Sequence, residues 1–159
     1  MTLALGIDPG TATTGYGFVR LEPDGSLHSV KYGVIVTPKE SSAPARLEIL
    51  YDQLRVLLNE YKPETAAVEK LFFQRNVTTA LAVGQARGVV MLCLQQAGIE
   101  AFEYTPNEIK QAVAGYGSAQ KKQVQDMVRA LLLLDEIPKP DDAADALAVA
   151  ITHLHTKRY

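Results

Sequence analysis

The opening stretch Leu3-Ala4-Leu5-Gly6-Ile7-Asp8-Pro9-Gly10 constrains the fold more than any other part of the chain, because an apolar run stops at a carboxylate and turns at once on Pro-Gly. Such a run reads as a buried strand that delivers Asp8 to its exposed C-terminal end. An Asp ahead of Pro-Gly often does no more than begin a turn. Two further carboxylate sites weigh against that plain reading. Glu69 ends the short apolar stretch Thr65-Ala66-Ala67-Val68-Glu69, and Asp142 and Asp145 open a helical stretch. Three such placements in one chain point to a divalent-metal site.

The elements that follow from local pattern form an α/β order. Gly15 to Glu22 alternates as a second strand, Pro23-Asp24-Gly25 is a turn, and Leu27 to Thr37 reads as a third strand, giving an antiparallel meander. Ser41 and Ser42 offer caps for a helix over Ala43 to Tyr61, in which Leu47, Leu50, Tyr51, Leu54, Leu57 and Leu58 recur on one face. A full helix then separates the first strand from Thr65 to Glu69, which predicts parallel pairing between them. Asn76 caps a long helix that runs to Ala97, before Gly98. The small and apolar residues at its centre, Val83 to Met91, fit either a close-packed core helix or a twofold subunit interface. Ile99 to Tyr104 reads as another strand, and Thr105-Pro106-Asn107-Glu108 as a capping box that opens a helix through Val113. Gly115-Tyr116-Gly117 breaks that helix, Ser118 to Leu134 predicts the next, and the last runs from about Asp141 to His155. The expectation is one domain over residues 1–159 with a mixed sheet flanked by helices.

Composition narrows the setting. No run of about 18 uninterrupted apolar residues and no charged leader followed by an apolar segment is present, so a soluble, cytoplasmic protein without a membrane partner is expected. The single cysteine, Cys93, lies in an apolar run and reads as a small buried residue. The net charge of −2 argues against a nucleic-acid binder only until the chain is divided. Residues 70–130 carry seven Lys/Arg against four Asp/Glu, whereas 1–69 carry six against nine and 131–159 three against five. A basic middle between acidic flanks is compatible with a phosphate-binding surface beside a metal cleft, and equally with ordinary surface scatter.

The candidate chemistry rests on the carboxylates. Asp142 and Asp145 stand three apart, so both project from one side of a first helical turn, where acidic residues also stabilise the helix dipole. The apolar run Ala146 to Ile151 behind them implies a helix packed deep against the sheet, with its start near the strand ends that carry Asp8 and Glu69. Clustered carboxylates need cations, and hard oxygen ligands select Mg²⁺ or Mn²⁺. Two such ions suit phosphodiester hydrolysis. Phe72 and Phe73 beside Arg75 in a polar loop supply a wedge or stacking platform for bases, or else anchor the loop in the core. Lys110, Lys121 and Lys122 are the candidate phosphate contacts. His153 and His155, two apart on a helix, point to different sides and are not read as a metal pair.

The strings Gly6-Ile7-Asp8-Pro9-Gly10, Thr14-Gly15-Tyr16-Gly17, Val68-Glu69 with Phe72, Gly84-Gln85-Ala86-Arg87-Gly88, Gly117-Ser118-Ala119 with Lys121, and Asp142-Ala143-Ala144-Asp145-Ala146-Leu147-Ala148 together resemble the RuvC family of bacterial Holliday-junction resolvases, in order and over the whole chain. The resemblance implies a ribonuclease H-like fold and a homodimer. It also implies paired Mg²⁺-dependent nicks across a four-way DNA junction in recombination and repair, with Mn²⁺ as a substitute, alongside a branch-migration helicase of the RuvA and RuvB type. The family's four acidic positions fall on Asp8, Glu69, Asp142 and Asp145, its stacking aromatic on Phe72, and its catalytic lysines on Lys110 and Lys121. Asp141, which forms an i, i+4 pair with Asp145, leaves open which aspartate of the helix is the ligand, and the Asp-Ala-Ala-Asp match favours Asp142. An opening of this kind also resembles the phosphate loop of actin-like ATPases and sugar kinases, but those need a second lobe and a second glycine-rich loop. A non-catalytic junction-binding module would have no reason to hold the four carboxylates.

Overall fold

The computed structural model describes residues 1–10, 12–70 and 76–157. Three antiparallel strands, β1 (Thr2–Asp8), β2 (Thr13–Leu21) and β3 (Leu27–Val36), are followed by α1 (Ala43–Tyr61), β4 (Thr65–Glu69), α2 (Val77–Gln96) and β5 (Ala101–Tyr104). Three helices complete the chain: α3 (Pro106–Ala114), α4 (Lys121–Leu131) and α5 (Asp141–Thr156). The five strands form one mixed sheet in the order β3-β2-β1-β4-β5, with β1, β4 and β5 parallel and the meander antiparallel, as the α/β reading expected.

Local chemistry sets most boundaries where the sequence placed them. The Ser42 hydroxyl accepts from the Ala45 amide and Asn76 Oδ1 from the Thr79 amide, while Thr105 and Glu108 make a reciprocal capping box. β2 starts at Thr13, two residues before Gly15, and two further boundaries differ. β5 starts at Ala101, because the Ile99 amide is drawn back to the Leu94 carbonyl to close α2. α4 spans Lys121–Leu131 and not Ser118 to Leu134. Gln120 is its cap, and Leu133 takes a left-handed φ of 55° so that the Leu134 amide reaches back to the Arg129 carbonyl.

Strand alternation divides the core into two layers. Leu5, Ile7, Phe18, Ala66 and Val68 face α1 and α2, packing on Leu50, Leu54, Val90 and Leu94. Ala4, Val19 and Ala67 face the other way, toward Leu147, Ile151, Ile109 and Val128 of the three C-terminal helices. α5 is buried nearly end to end. His153, fully enclosed, lies between the Thr65 hydroxyl (2.7 Å, on Nε2) and the Tyr104 hydroxyl (2.8 Å, on Nδ1), and burial holds its pKa down at about 4. Both ring nitrogens are therefore engaged by hydroxyls of the sheet. Cys93 is buried as expected, and burial raises its thiol pKa.

Two strand glycines let α5 come this close. A Cβ on Gly6 would stand 2.6 Å from the Ala150 nitrogen, and one on Gly15 would stand 2.5 Å from the Asp142 carbonyl carbon, both backbone atoms of α5. Nothing there can yield except the helix itself. The glycines of α2 differ: a Cβ at Gly84 or Gly88 would meet nothing within 4 Å. The close-packed-core explanation of that helix thus fails at these two residues.

Gly15→Ala is expected to lower unfolding free energy by about 3 kcal/mol or more, through overpacking against backbone. In dilute protein, where single protomers unfold, Gly88→Ala should be neutral to stabilising, by up to about 1 kcal/mol, as for an ordinary glycine in a helix. Urea unfolding of both variants checks the contrast, and equal effects would show that α5 is not held this tightly.

Candidate metal centre and nucleic-acid cleft

The same alternation aims the acidic residues. Asp8 shares its side of β1 with Ala4 and Gly6, and Glu69 shares its side of β4 with Ala67, so both carboxylates leave the sheet toward α5. Ile7 pairs with Val68 in the parallel register, which makes Asp8 and Glu69 the next residues on adjacent strand ends. Opposite Asp8 on β2 stands Gly15, the residue against which the first turn of α5 rests. The helix start therefore lies over the strand ends, and carboxyl oxygens of Asp8, Asp142 and Asp145 fall within 4.8 Å of one another. Glu69 joins them through a hydrogen bond with Asp8.

Such a cluster is electrostatically unstable by itself. Burial, then Glu69 and Asp145, then Asp142 push the Asp8 pKa from 3.8 up to about 9, so Asp8 carries the proton shared with its neighbours. Burial likewise raises Glu69 and Asp145, with Lys121 opposing the rise in both and Lys110 opposing it at Glu69. A partly buried carboxylate cluster whose central member, Asp8, holds its proton for want of positive charge is a donor set fitted to a hard divalent cation. Asp8, Asp142 and Asp145 would hold it, with Glu69 beside them.

Asp141 does not enter the cluster. It is exposed, accepts from Gln125 Nε2 at 3.3 Å, and pairs with the Lys121 ammonium at 3.2 Å. The geometry thus selects Asp142 over Asp141. Lys121 also stands 3.8 Å from Asp145. Partial burial works against its charge, but Asp145, Asp141 and Asp142 outweigh that and raise its pKa above the ordinary value.

A cleft of about 550 Å³ opens beside the cluster, lined by Glu69, Asp145, Lys110, Ser118 and Lys121 among others. Its walls come from α3, α4 and the turn between them, so the Gly115-Tyr116-Gly117 break shapes the cleft. Lys110 and Lys121 line it together. Lys122 does not, and pairs instead with Asp126 one turn along α4, at 3.6 Å. Phe72, Phe73 and Arg75 lie outside the described residues.

One polar residue at the site escaped the pattern-based reading. Arg87 of α2 donates from Nη1 to the Glu69 carbonyl at 3.0 Å and from Nη2 to a Glu103 carboxyl oxygen. The sequence signalled it as a lone cation in an apolar helix and as part of the string Gly84-Gln85-Ala86-Arg87-Gly88, with no role attached. α2 itself is, among the described residues, the one helix long and apolar enough to cross a membrane by length and composition. Here it buries Val83, Ala86, Val90, Cys93 and Leu94 against the sheet and α1.

Comparison with known proteins agrees with this geometry. Residues 4–153 match the family model for crossover junction endodeoxyribonuclease RuvC. The chain is 56% identical to the Syntrophomonas wolfei crossover junction endodeoxyribonuclease RuvC over 97% of its own length and 89% of the relative's. It is 57% identical to that of a Roseiflexus species over 97% and 91%. Among solved structures, Thermus thermophilus RuvC in complex with a Holliday junction substrate superposes with a TM-score of 0.89 at 35% identity, over 96% of this chain and 93% of that one. A yeast mitochondrial Holliday junction resolvase, at 16% identity and a TM-score of 0.68, over 96% and 78%, shares the fold. The mixed-sheet architecture is accordingly the ribonuclease H-like fold, and the chain belongs to the RuvC family of crossover junction endodeoxyribonucleases.

Proposed function

We propose that this chain resolves four-way DNA junctions by metal-dependent hydrolysis of phosphodiester bonds, acting as one nuclease domain over residues 1–159. The observation that carries the reading is the convergence of Asp8, Asp142 and Asp145, with Glu69 adjacent, at the mouth of a cleft lined by Lys110 and Lys121. Mg²⁺ is the expected ion, two per site, with Mn²⁺ as a substitute; when bound it supplies Lewis-acid charge at the scissile phosphate and an activated water.

The chain's own residues do the rest. Asp8, at the meeting point of two parallel strand ends, is the carboxylate most enclosed by the others and the one that must lose a proton for a cation to enter. Lys110 and Lys121 face the cluster across the cleft, where ammonium groups hold a phosphate and offset charge that develops on its oxygens. Asp141 and Gln125 act on the far side of Lys121: Gln125 holds Asp141, which pairs with the lysine and keeps it near the metal ligands. Lys122 serves as an outlying phosphate contact, and Phe72, Phe73 and Arg75 as the base-contacting segment that follows Glu69.

A homodimer supplies the two sites that paired nicks require. The exposed face of α2 supports this: Val77, Leu81 and Leu92 are open to solvent and stand in helical register with Gly84 and Gly88, whose missing side chains would let a second helix approach. A branch-migration helicase of the RuvA and RuvB type, which would move the junction to a cleavable position, is the partner this reading calls for. The cytoplasm, where chromosomal DNA lies, is its compartment.

Cleavage of a synthetic mobile four-way junction is expected to give symmetric paired nicks with Mg²⁺ or Mn²⁺, none with chelator, and little cutting of linear duplex. Asp8→Asn should retain junction binding and lose about 10³-fold or more in rate, the equivalent of several kcal/mol of transition-state stabilisation. Binding without cutting under every metal condition would favour a non-catalytic junction-binding module, and equal cutting of duplex would reject junction resolution.

A stability prediction follows from the sign of the Asp8 shift. The unfolded chain releases this proton near pH 3.8, whereas the folded chain keeps it up to about pH 9, so the metal-free fold loses stability as pH rises through that window. In chelator, Asp8→Asn should melt above wild type by about 3–8 °C near pH 8, with a smaller gap at about pH 5. Saturating Mg²⁺ should close or reverse the gap. A gap that is constant with pH would remove Asp8 as the proton carrier.

A further inference from the structure

We infer that Arg87 is a positioning residue for Glu69, holding the strand end that carries this carboxylate in place for the metal centre; the inference rests on the metal-centre reading above. Its main observation is an unfilled place in the sheet. In the parallel ladder between β1 and β4, the Glu69 carbonyl would next accept from residue 9. Residue 9 is proline, which has no N–H to donate. On the other neighbour, the Lys70 amide still reaches the Tyr104 carbonyl at 2.8 Å, and the next position of β5's continuation that would face β4, residue 106, is again a proline. On the β1 side the backbone ladder therefore ends with no donor for the Glu69 carbonyl.

Arg87 fills that place from the opposite layer. Its Nη1 donates to the Glu69 carbonyl at 3.0 Å while Nη2 grips Glu103, which pairs with Val68 on the neighbouring strand. The planar guanidinium thus staples the ends of β4 and β5 to α2 with two fixed prongs. A lysine, with one compact ammonium on a flexible stem, cannot hold both partners in that geometry. The Glu69 carboxylate itself points to the α5 side of the sheet, so Arg87 acts through the main chain and leaves the carboxylate free for a cation. The guanidinium is partly covered (22% exposed), which removes some of the solvent competition that weakens surface pairs.

Groups that orient a metal ligand are worth about 10- to 100-fold in metal affinity or activity. The test compares wild type, Arg87→Lys, Glu69→Gln and the double variant, as full-length protein. Mn²⁺ affinity is measured by electron paramagnetic resonance, the Mg²⁺ dependence of junction cleavage gives a second readout, and melting temperature and junction affinity in chelator serve as controls. Arg87→Lys is expected to fold and bind junction as wild type does, to bind Mn²⁺ at least about fivefold more weakly, and to need correspondingly more Mg²⁺ for half-maximal cutting. Added to Glu69→Gln, it should cost less than about twofold further, because its effect runs through Glu69. Wild-type metal affinity in Arg87→Lys, additive losses in the double variant, or a loss of junction affinity in chelator as large as the loss of metal affinity would each overturn the inference. Should Arg87→Lys not fold, Glu103→Gln decides in its place: it releases one prong from the exposed side, and faster hydrogen exchange at the Lys70 amide with weaker Mn²⁺ binding is expected, whereas unchanged values overturn the inference. If wild type cuts no junction, the resolvase reading falls while the Mn²⁺ comparison still judges Arg87.

Discussion

The close seating of α5 on β1 and β2 is the contact on which the rest depends. Its backbone touches the sheet at Gly6 and Gly15, and its alanines, Ala143, Ala144, Ala146 and Ala150, keep the gap small from the helix side. Small residues on both surfaces let main chain approach main chain, and tight interiors tolerate little adjustment. This seating does two jobs with one surface. It buries the apolar length of α5 as the centre of one core layer, and it brings Asp142 and Asp145 over the strand ends where Asp8 and Glu69 emerge.

The seating has an electrostatic consequence. Carboxylates that packing forces together, with burial removing much of their water, cannot all ionise, and Asp8 retains its proton far above the ordinary range. The fold therefore carries an unrelieved repulsion at its functional end, stabilised by packing elsewhere. A divalent cation would relieve it, which would couple metal affinity to the same helix contact that gives the core its strength. Lysines at the rim, with Lys121 drawn between Asp141 and Asp145, supply part of the compensation without entering the cluster.

Much of this was legible in the sequence because it is local. The Asp-Pro-Gly stop of β1, the Ser42 and Asn76 caps, the capping box at Thr105 and the leucine face of α1 are each signalled within a few residues, and those boundaries hold. The α4 boundary was not, since a leucine at positive φ ends the helix and Leu133 gives no warning of it. Nor could spacing alone choose between Asp141 and Asp142, because both share a face with Asp145; the choice is made by Lys121 and Gln125, which belong to another helix. The link from Arg87 to Glu69 spans 18 positions and two layers, beyond any periodic pattern. The exposed stripe on α2 was half legible: the glycines were evident, but only the structure shows them facing outward from the protomer core.

The most direct test of the central claim, that α5 and the strand ends together build a cation site, is anomalous diffraction from crystals grown with Mn²⁺. The account predicts manganese bound by Asp8 together with Asp142 and Asp145, at oxygen distances of about 2.0–2.5 Å. Manganese absent from Asp8, or held by Asp141 at the exposed rim while the cluster stays empty at saturating ion, would contradict it.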